Sequence, residues 1–88
     1  MRRAARVDEN QQDVVDRLRA IGVQVEIIGL PLDLLICHRG NTELMEIKTE
    51  EGRLTKAQVE FIARWPGKIH IVRSAEEAVA SVLGEAMA

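Results

Sequence analysis

Aromatic residues are almost missing from this chain, which has one Phe, one Trp and no Tyr. Proteins that read splayed single-stranded bases stack them on aromatic side chains, and Phe61 and Trp65 alone do not make such a platform. A single cysteine, Cys37, rules out an intrachain disulfide and has no partner at zinc-ligand spacing. Inside an apolar run it reads as a small packing residue. The two histidines, His38 and His70, are far from any second His or Cys at metal-ligand spacing and suit ordinary roles in a strand. No apolar stretch is long enough to cross a bilayer, and no apolar run follows the N-terminal arginines. The expectation is a protein of the cytosol, bacterial or of a phage-infected cell, without a membrane partner.

Net charge is also small. The formal value of −2 does not advertise a nucleic-acid binder. Its distribution is uneven, with Arg2, Arg3 and Arg6 at the start and Glu76, Glu77 and Glu85 near the end. A dipolar molecule can still turn one basic face to phosphates. The same arginines also fit a solvated tail.

The content that is present is that of a folded protein, 47% hydrophobic and 30% charged. At 88 residues the expectation is one domain spanning residues 1–88, near the lower size at which a core is self-sufficient, so dimerisation would help. Val14, Val15, Leu18 and Ile21 recur at helical spacing between Asp8, a good N-cap, and Gly22, which predicts a first helix from Asp8 to about Ile21. Val23 to Ile28 reads as an edge strand with polar alternation. The strand from Leu34 to His38, apolar on both faces as far as Cys37, reads as a central one. Asn41 to Lys48 returns as a third strand. A second helix starts at Thr55 and stops before Pro66-Gly67, Lys68 to Arg73 makes a fourth strand, and Ser74 caps a last helix. The order α-β-β-β-α-β-α predicts an α/β protein with a mixed four-stranded sheet covered by helices on both faces.

The chemistry concentrates at Asp33 and at Glu46-Ile47-Lys48. Arg39-Gly40 is a two-residue hairpin turn, its Gly suiting the positive φ such turns require. Pairing His38 with Asn41 and counting back along both strands sets Asp33 opposite Glu46, and strand alternation puts Lys48 on the same face. Two opposed carboxylates repel unless a positive charge sits between them, and a Mg²⁺-type cation fits that vacancy. Lys48 beside it could orient a water nucleophile or stabilise charge on phosphorus oxygens. The competing reading is plain: Glu-x-Lys is also the pattern of a solvated sheet edge, an Asp after a Pro is also a turn, and a one-residue register shift would separate the pair.

Gly29-Leu30-Pro31-Leu32-Asp33-Leu34-Leu35-Ile36, Glu46-Ile47-Lys48, Gly52-Arg53-Leu54-Thr55-Lys56-Ala57-Gln58 and Ile71-Val72-Arg73-Ser74-Ala75-Glu76-Glu77-Ala78, in that order, resemble the PD-(D/E)xK nucleases. The likeness is to the small, phage-type VRR-NUC branch, which is similar to Holliday-junction resolvases, and it covers nearly the whole chain. Family members carry Pro and Asp side by side, whereas Leu32 intervenes here. The resemblance implies a restriction-endonuclease-like αβββαβ(α) core and a Mg²⁺- or Mn²⁺-dependent endodeoxyribonuclease. It implies metal held by Asp33, Glu46 and the Ile47 carbonyl, and Lys48 at the attacking water. The implied substrate is branched or otherwise structured DNA, cut by a homodimer.

The family often places a Glu on its first helix near the metal, and the resembling position is Gln11. Asp8 and Gln11 equally have the spacing of a capping box. Gln58 poses the same choice, between a capping box with Thr55 and a place close to the active site. Arg73 resembles the arginine that ends the family's last strand, where it would meet a phosphate or pair with Glu76 or Glu77. Arg2, Arg3, Arg6, Arg53 and Lys56 complete the expected DNA contacts. A different class of function fits the same residues: a catalytically silent nuclease-like domain that binds DNA or a protein partner as a dimer.

Overall fold

A computed structural model describes the backbone of residues 2–49 and 51–84, and within those ranges the side chains from residue 10 onward. Its elements are α1 (Arg2–Ala20), β1 (Gln24–Ile27), β2 (Leu34–His38), β3 (Asn41–Ile47), α2 (Lys56–Arg64), β4 (Ile69–Val72) and α3 (Ala75–Val82). The sheet runs β1-β2-β3-β4, with antiparallel pairs on the β1 side and β4 parallel to β3. It is the expected mixed four-stranded α/β architecture, with β2 and β3 central.

Helix α1 starts well before Asp8, so that residue lies within the helix and cannot cap it. The run Arg2-Arg3-Ala4-Ala5-Arg6 consists of strong helix formers, and propensity there extends the helix upstream of the apparent start. The Asp8–Gln11 capping box is therefore absent. At the other end the expected glycine acts. Gly22 adopts φ +92°, its N–H donates to the Arg19 carbonyl at 3.0 Å, and Val23 N–H reaches the Leu18 carbonyl at 3.0 Å. Those two bonds form a Schellman motif, which satisfies carbonyls the helix leaves orphaned.

Alternation along the strands separates two unlike faces. Leu34 and Ile36 of β2, Met45 and Ile47 of β3, Val25 and Val72 meet Val14, Val15 and Leu18 of α1 and Ala75, Ala78 and Val82 of α3 in one core. Leu18, fully removed from solvent, contributes about 2 kcal/mol by burial alone. The other face carries α2, none of whose residues is buried. Phe61 and Trp65 stack there with ring centroids 5.3 Å apart, and Arg64 lies 5.3 Å over the Phe61 ring. Trp65, Val59 and Ile71 remain exposed on or beside this thinner layer.

His70 is buried on β4 and joins three elements. Its Nδ1 lies 2.5 Å from Ser81 Oγ of α3, and its Nε2 2.6 Å from Glu43 Oε1 of β3. The histidine expected to have an ordinary role in its strand is thus the centre of a polar bridge. Glu76, one of the acids offered to Arg73, lies 4.0 Å from Arg17 instead, an exposed pair worth little. Glu85 lies outside the described residues. No described helix is long and apolar enough to cross a membrane.

Candidate active site

The hairpin turn sets the register on which the site depends. Arg39 and Gly40 have φ +54° and +83°, the positive pair that a type I′ turn demands. His38 pairs with Asn41, and the ladder runs back to Leu34 opposite Met45. One step further, Asp33 faces Glu46, and side chains take over from the backbone. Asp33 N–H donates to Glu46 Oε1 at 3.2 Å, while Ile47 N–H donates to Asp33 Oδ2 at 2.8 Å.

The approach to Asp33 explains the residue inserted after the proline. The Leu30–Pro31 bond is cis, and Leu32 is completely buried, anchoring the chain just ahead of the acid. Behind it, Ile28 and Gly29 donate their N–H groups to the Asp33 carbonyl at 3.0 and 3.1 Å. Gly29, at φ +79°, provides the left-handed turn this closure needs. Asp33 is therefore held through its amide, its carbonyl and one carboxylate oxygen.

Glu46 is only 3% exposed. Its Oε2 accepts from Gln58 Nε2 at 2.8 Å and lies 3.2 Å from Lys48 Nζ. Burial, followed by the charge of Asp33, pushes its carboxyl above the ordinary carboxylate range; the bonds from Lys48 and Gln58 and the Lys48 charge pull the other way.

Gln58 does not choose between its two expected roles. Its Oε1 accepts from Thr55 N–H at 3.0 Å and its own N–H donates to Thr55 Oγ1 at 3.1 Å, completing a capping box at the start of α2. Because the amide oxygen is committed to the cap, the amide nitrogen is left to face Glu46. Helix capping and carboxylate positioning are two ends of one side chain.

Asp33, Glu46, Ile47 and Lys48 line a cleft of about 410 Å³ with Thr49, Gly52 and Asn10. Among the described side chains of α1, the one that reaches it is Asn10. Gln11, its neighbour, is half-buried and does not line the cleft. Asn10 stands four residues before the buried Val14, so the helical periodicity that singled out Gln11 was one position from the residue that faces the site. Among the described residues no three His, Cys, Asp or Glu side chains group as a metal cluster. The donor set is a carboxylate pair, which suits a hard cation that keeps several waters rather than one caged by protein.

The remaining expected residues scatter. Arg53 and Arg73 line a separate cleft with Glu51 and Gly52, and Lys56 is the exposed first residue of α2. Arg73 directs Nη1 to the carbonyls of Thr49 and Gly52, and its backbone N–H donates to Glu77 Oε1 at 2.7 Å. Arg2, Arg3 and Arg6 belong to α1, and their side chains lie outside the described ones.

Neither a family profile nor a curated protein sequence matches the chain. A solved structure described as a VRR_NUC domain does match in three dimensions, with a TM-score of 0.72 and 20% identity over 86% of this chain and 92% of that one. The fold is thus that of a VRR_NUC domain, the restriction-endonuclease-like arrangement expected from the motif order.

Proposed function

We propose that this protein is a metal-dependent DNA endonuclease of the PD-(D/E)xK type. The observation that carries the reading is the pairing of Asp33 with Glu46, whose carboxyl resists ionisation because it is buried and because another carboxylate faces it. A divalent cation relieves that repulsion and turns an unfavourable pair into a ligand set. The likeness in fold to a VRR_NUC domain supports the same reading.

Asp33 and Glu46 would hold Mg²⁺ or Mn²⁺. The Ile47 carbonyl is a natural third ligand, because an extended residue projects N–H and C=O toward the same neighbouring strand, and the Ile47 N–H is directed at Asp33. A bound metal of this type polarises a phosphoryl oxygen and acidifies a coordinated water. Lys48, held against Glu46 Oε2, presents its ammonium beside the carboxylate pair, where it orients the attacking water and offsets charge gathering on phosphorus oxygens. Gln58 keeps the Glu46 carboxylate turned into the cleft, and Asn10 takes the place expected of Gln11.

Arg53, Lys56 and the arginines of the α1 N-terminus supply phosphate contacts. The substrate is branched or otherwise structured DNA, selected by its shape as in a Holliday-junction resolvase. A cytosolic homodimer would cover apolar side chains such as Val59 and Trp65, and two sites related by a two-fold axis suit symmetric cutting of a branched junction.

Incubation with branched and linear DNA plus Mg²⁺ or Mn²⁺ tests this. Cleavage is expected from the wild type and lost from Glu46→Ala and Lys48→Ala; cleavage surviving both substitutions would remove the activity from this site. The second reading, a silent domain that binds DNA or protein, is favoured by the amide of Asn10 standing where the family often has an acid. It predicts DNA binding without turnover.

A further inference from the structure

Because β3 and β4 are parallel, their C-terminal ends lie at the same end of the sheet, and the segment leaving β3 starts beside the segment leaving β4. Lys48 N–H still belongs to the ladder, donating to the Val72 carbonyl at 2.9 Å. After it the chain turns, with Gly52 N–H donating to the Thr49 carbonyl at 2.9 Å. That turn is tight: a Cβ on Gly52 would stand 2.9 Å from Thr49 Oγ1. Thr49 and Gly52 are also the rim of the cleft that holds Asp33, Glu46 and Lys48.

Arg73 closes the arrangement from the β4 side. Its Nη1 donates to the Thr49 carbonyl and, at 3.0 Å, to the Gly52 carbonyl, so one nitrogen gathers both ends of the turn. Its backbone is fixed in turn, since its N–H donates to Glu77 Oε1 at 2.7 Å and the next residue, Ser74, caps α3 by accepting from Glu77 N–H at 3.1 Å. A path of hydrogen bonds therefore joins the start of α3 to the rim of the cleft.

We infer that Arg73 is a positioning residue: its guanidinium anchors the 49–52 turn and so sets the direction in which Lys48, immediately before that turn, enters the cleft, instead of gripping a DNA phosphate. The kinetic consequence rests on the nuclease reading above, whereas the anchoring does not. Lysine at this position keeps the charge and has donors enough, but its ammonium sits on a flexible stem without the rigid planar guanidinium, so it holds the two carbonyls less firmly.

Hydrogen exchange on the full chain, without metal or DNA, tests the anchoring in wild type, Arg73→Lys and Arg73→Ala. Exchange at Gly52 N–H should rise by about tenfold or more in Arg73→Ala, and less in Arg73→Lys, while amides of the β2–β3 ladder keep their protection. Unchanged exchange at Gly52 would overturn the proposal, and a loss of protection throughout the ladder would show a fold effect and overturn it equally. Kinetics separate positioning from phosphate contact. Positioning predicts kcat falling by about tenfold or more with KM and the salt dependence of DNA binding retained. A fall of about one in the salt slope with kcat intact would assign Arg73 to a phosphate instead. If the wild type cuts no DNA the nuclease reading fails, and the exchange result still decides the anchor.

Discussion

Replacing Glu46 by Gln should make the metal-free protein more stable at neutral pH, an unusual outcome for removing a buried, hydrogen-bonded group. Gln has the shape of Glu and can still accept from Gln58 Nε2 or the Asp33 amide, while its own amide can donate toward Asp33. What disappears is the charge that burial and Asp33 both disfavour, along with the attraction to Lys48, which only partly offsets them, since the carboxyl is raised on balance. The Glu46 carboxyl is raised in the folded state above its ordinary value of 4.5, so the protonated form favours folding. That favourable contribution is fully present below pH 4.5 and is lost as pH rises through the folded-state value. Above that window the wild type carries an ionised group the fold disfavours, and each unit of displacement is worth about 1.4 kcal/mol. A gain on the order of 1 kcal/mol for Glu46→Gln at pH 8 corresponds to a rise of about 4–8 °C in Tm for a domain this size. At pH 4 the gain should vanish. Thermal unfolding by circular dichroism in EDTA, at both pH values, reads this directly. A Glu46→Gln protein destabilised equally at pH 4 and pH 8 would refute the reasoning.

Three further outcomes follow from the geometry. Gln58→Ala removes a helix cap and a donor to Glu46 together, and should lower stability by about 1–2 kcal/mol in denaturant unfolding; Gln58→Glu, which can keep the cap but meets Glu46 with like charge, should lose cleavage activity more than stability. Arg39→Asn places at φ +54° a residue that tolerates the left-handed region, so urea unfolding should show a gain of about 0.5–1 kcal/mol. His70→Phe strands Glu43 and Ser81 in a low-dielectric setting and should cost about 2–3 kcal/mol by the same assay, without changing Mn²⁺ affinity.

Local rules carried the hairpin far. Arg39-Gly40 demands one turn type, that turn sets the register, and the register brings Asp33 to Glu46, so the carboxylate pair was legible before any coordinates. The caps at Thr55 and Ser74 and the breaker at Pro66 likewise bounded α2 and α3 closely. The start of α1 was misread because Asp8 looks like a cap, while the Ala- and Arg-rich residues before it continue the helix. Asn10 was missed for a related reason: helical phase is good to about one residue, and Asn10 and Gln11 both border the buried stripe. The two functions of Gln58 were visible as alternatives, but their coexistence depends on which amide atom faces which partner. The bonds of Arg73 to the 49–52 turn and the Glu43–His70–Ser81 bridge join residues distant in sequence and carry no local signal.

The central claim is that Asp33 and Glu46 together hold a divalent cation. Anomalous diffraction from crystals soaked in Mn²⁺ tests it most directly. The account predicts a single strong peak within bonding distance of both carboxylates, absent from Glu46→Gln crystals; saturating Mn²⁺ that gives no peak there, or one that persists in the variant, would contradict it.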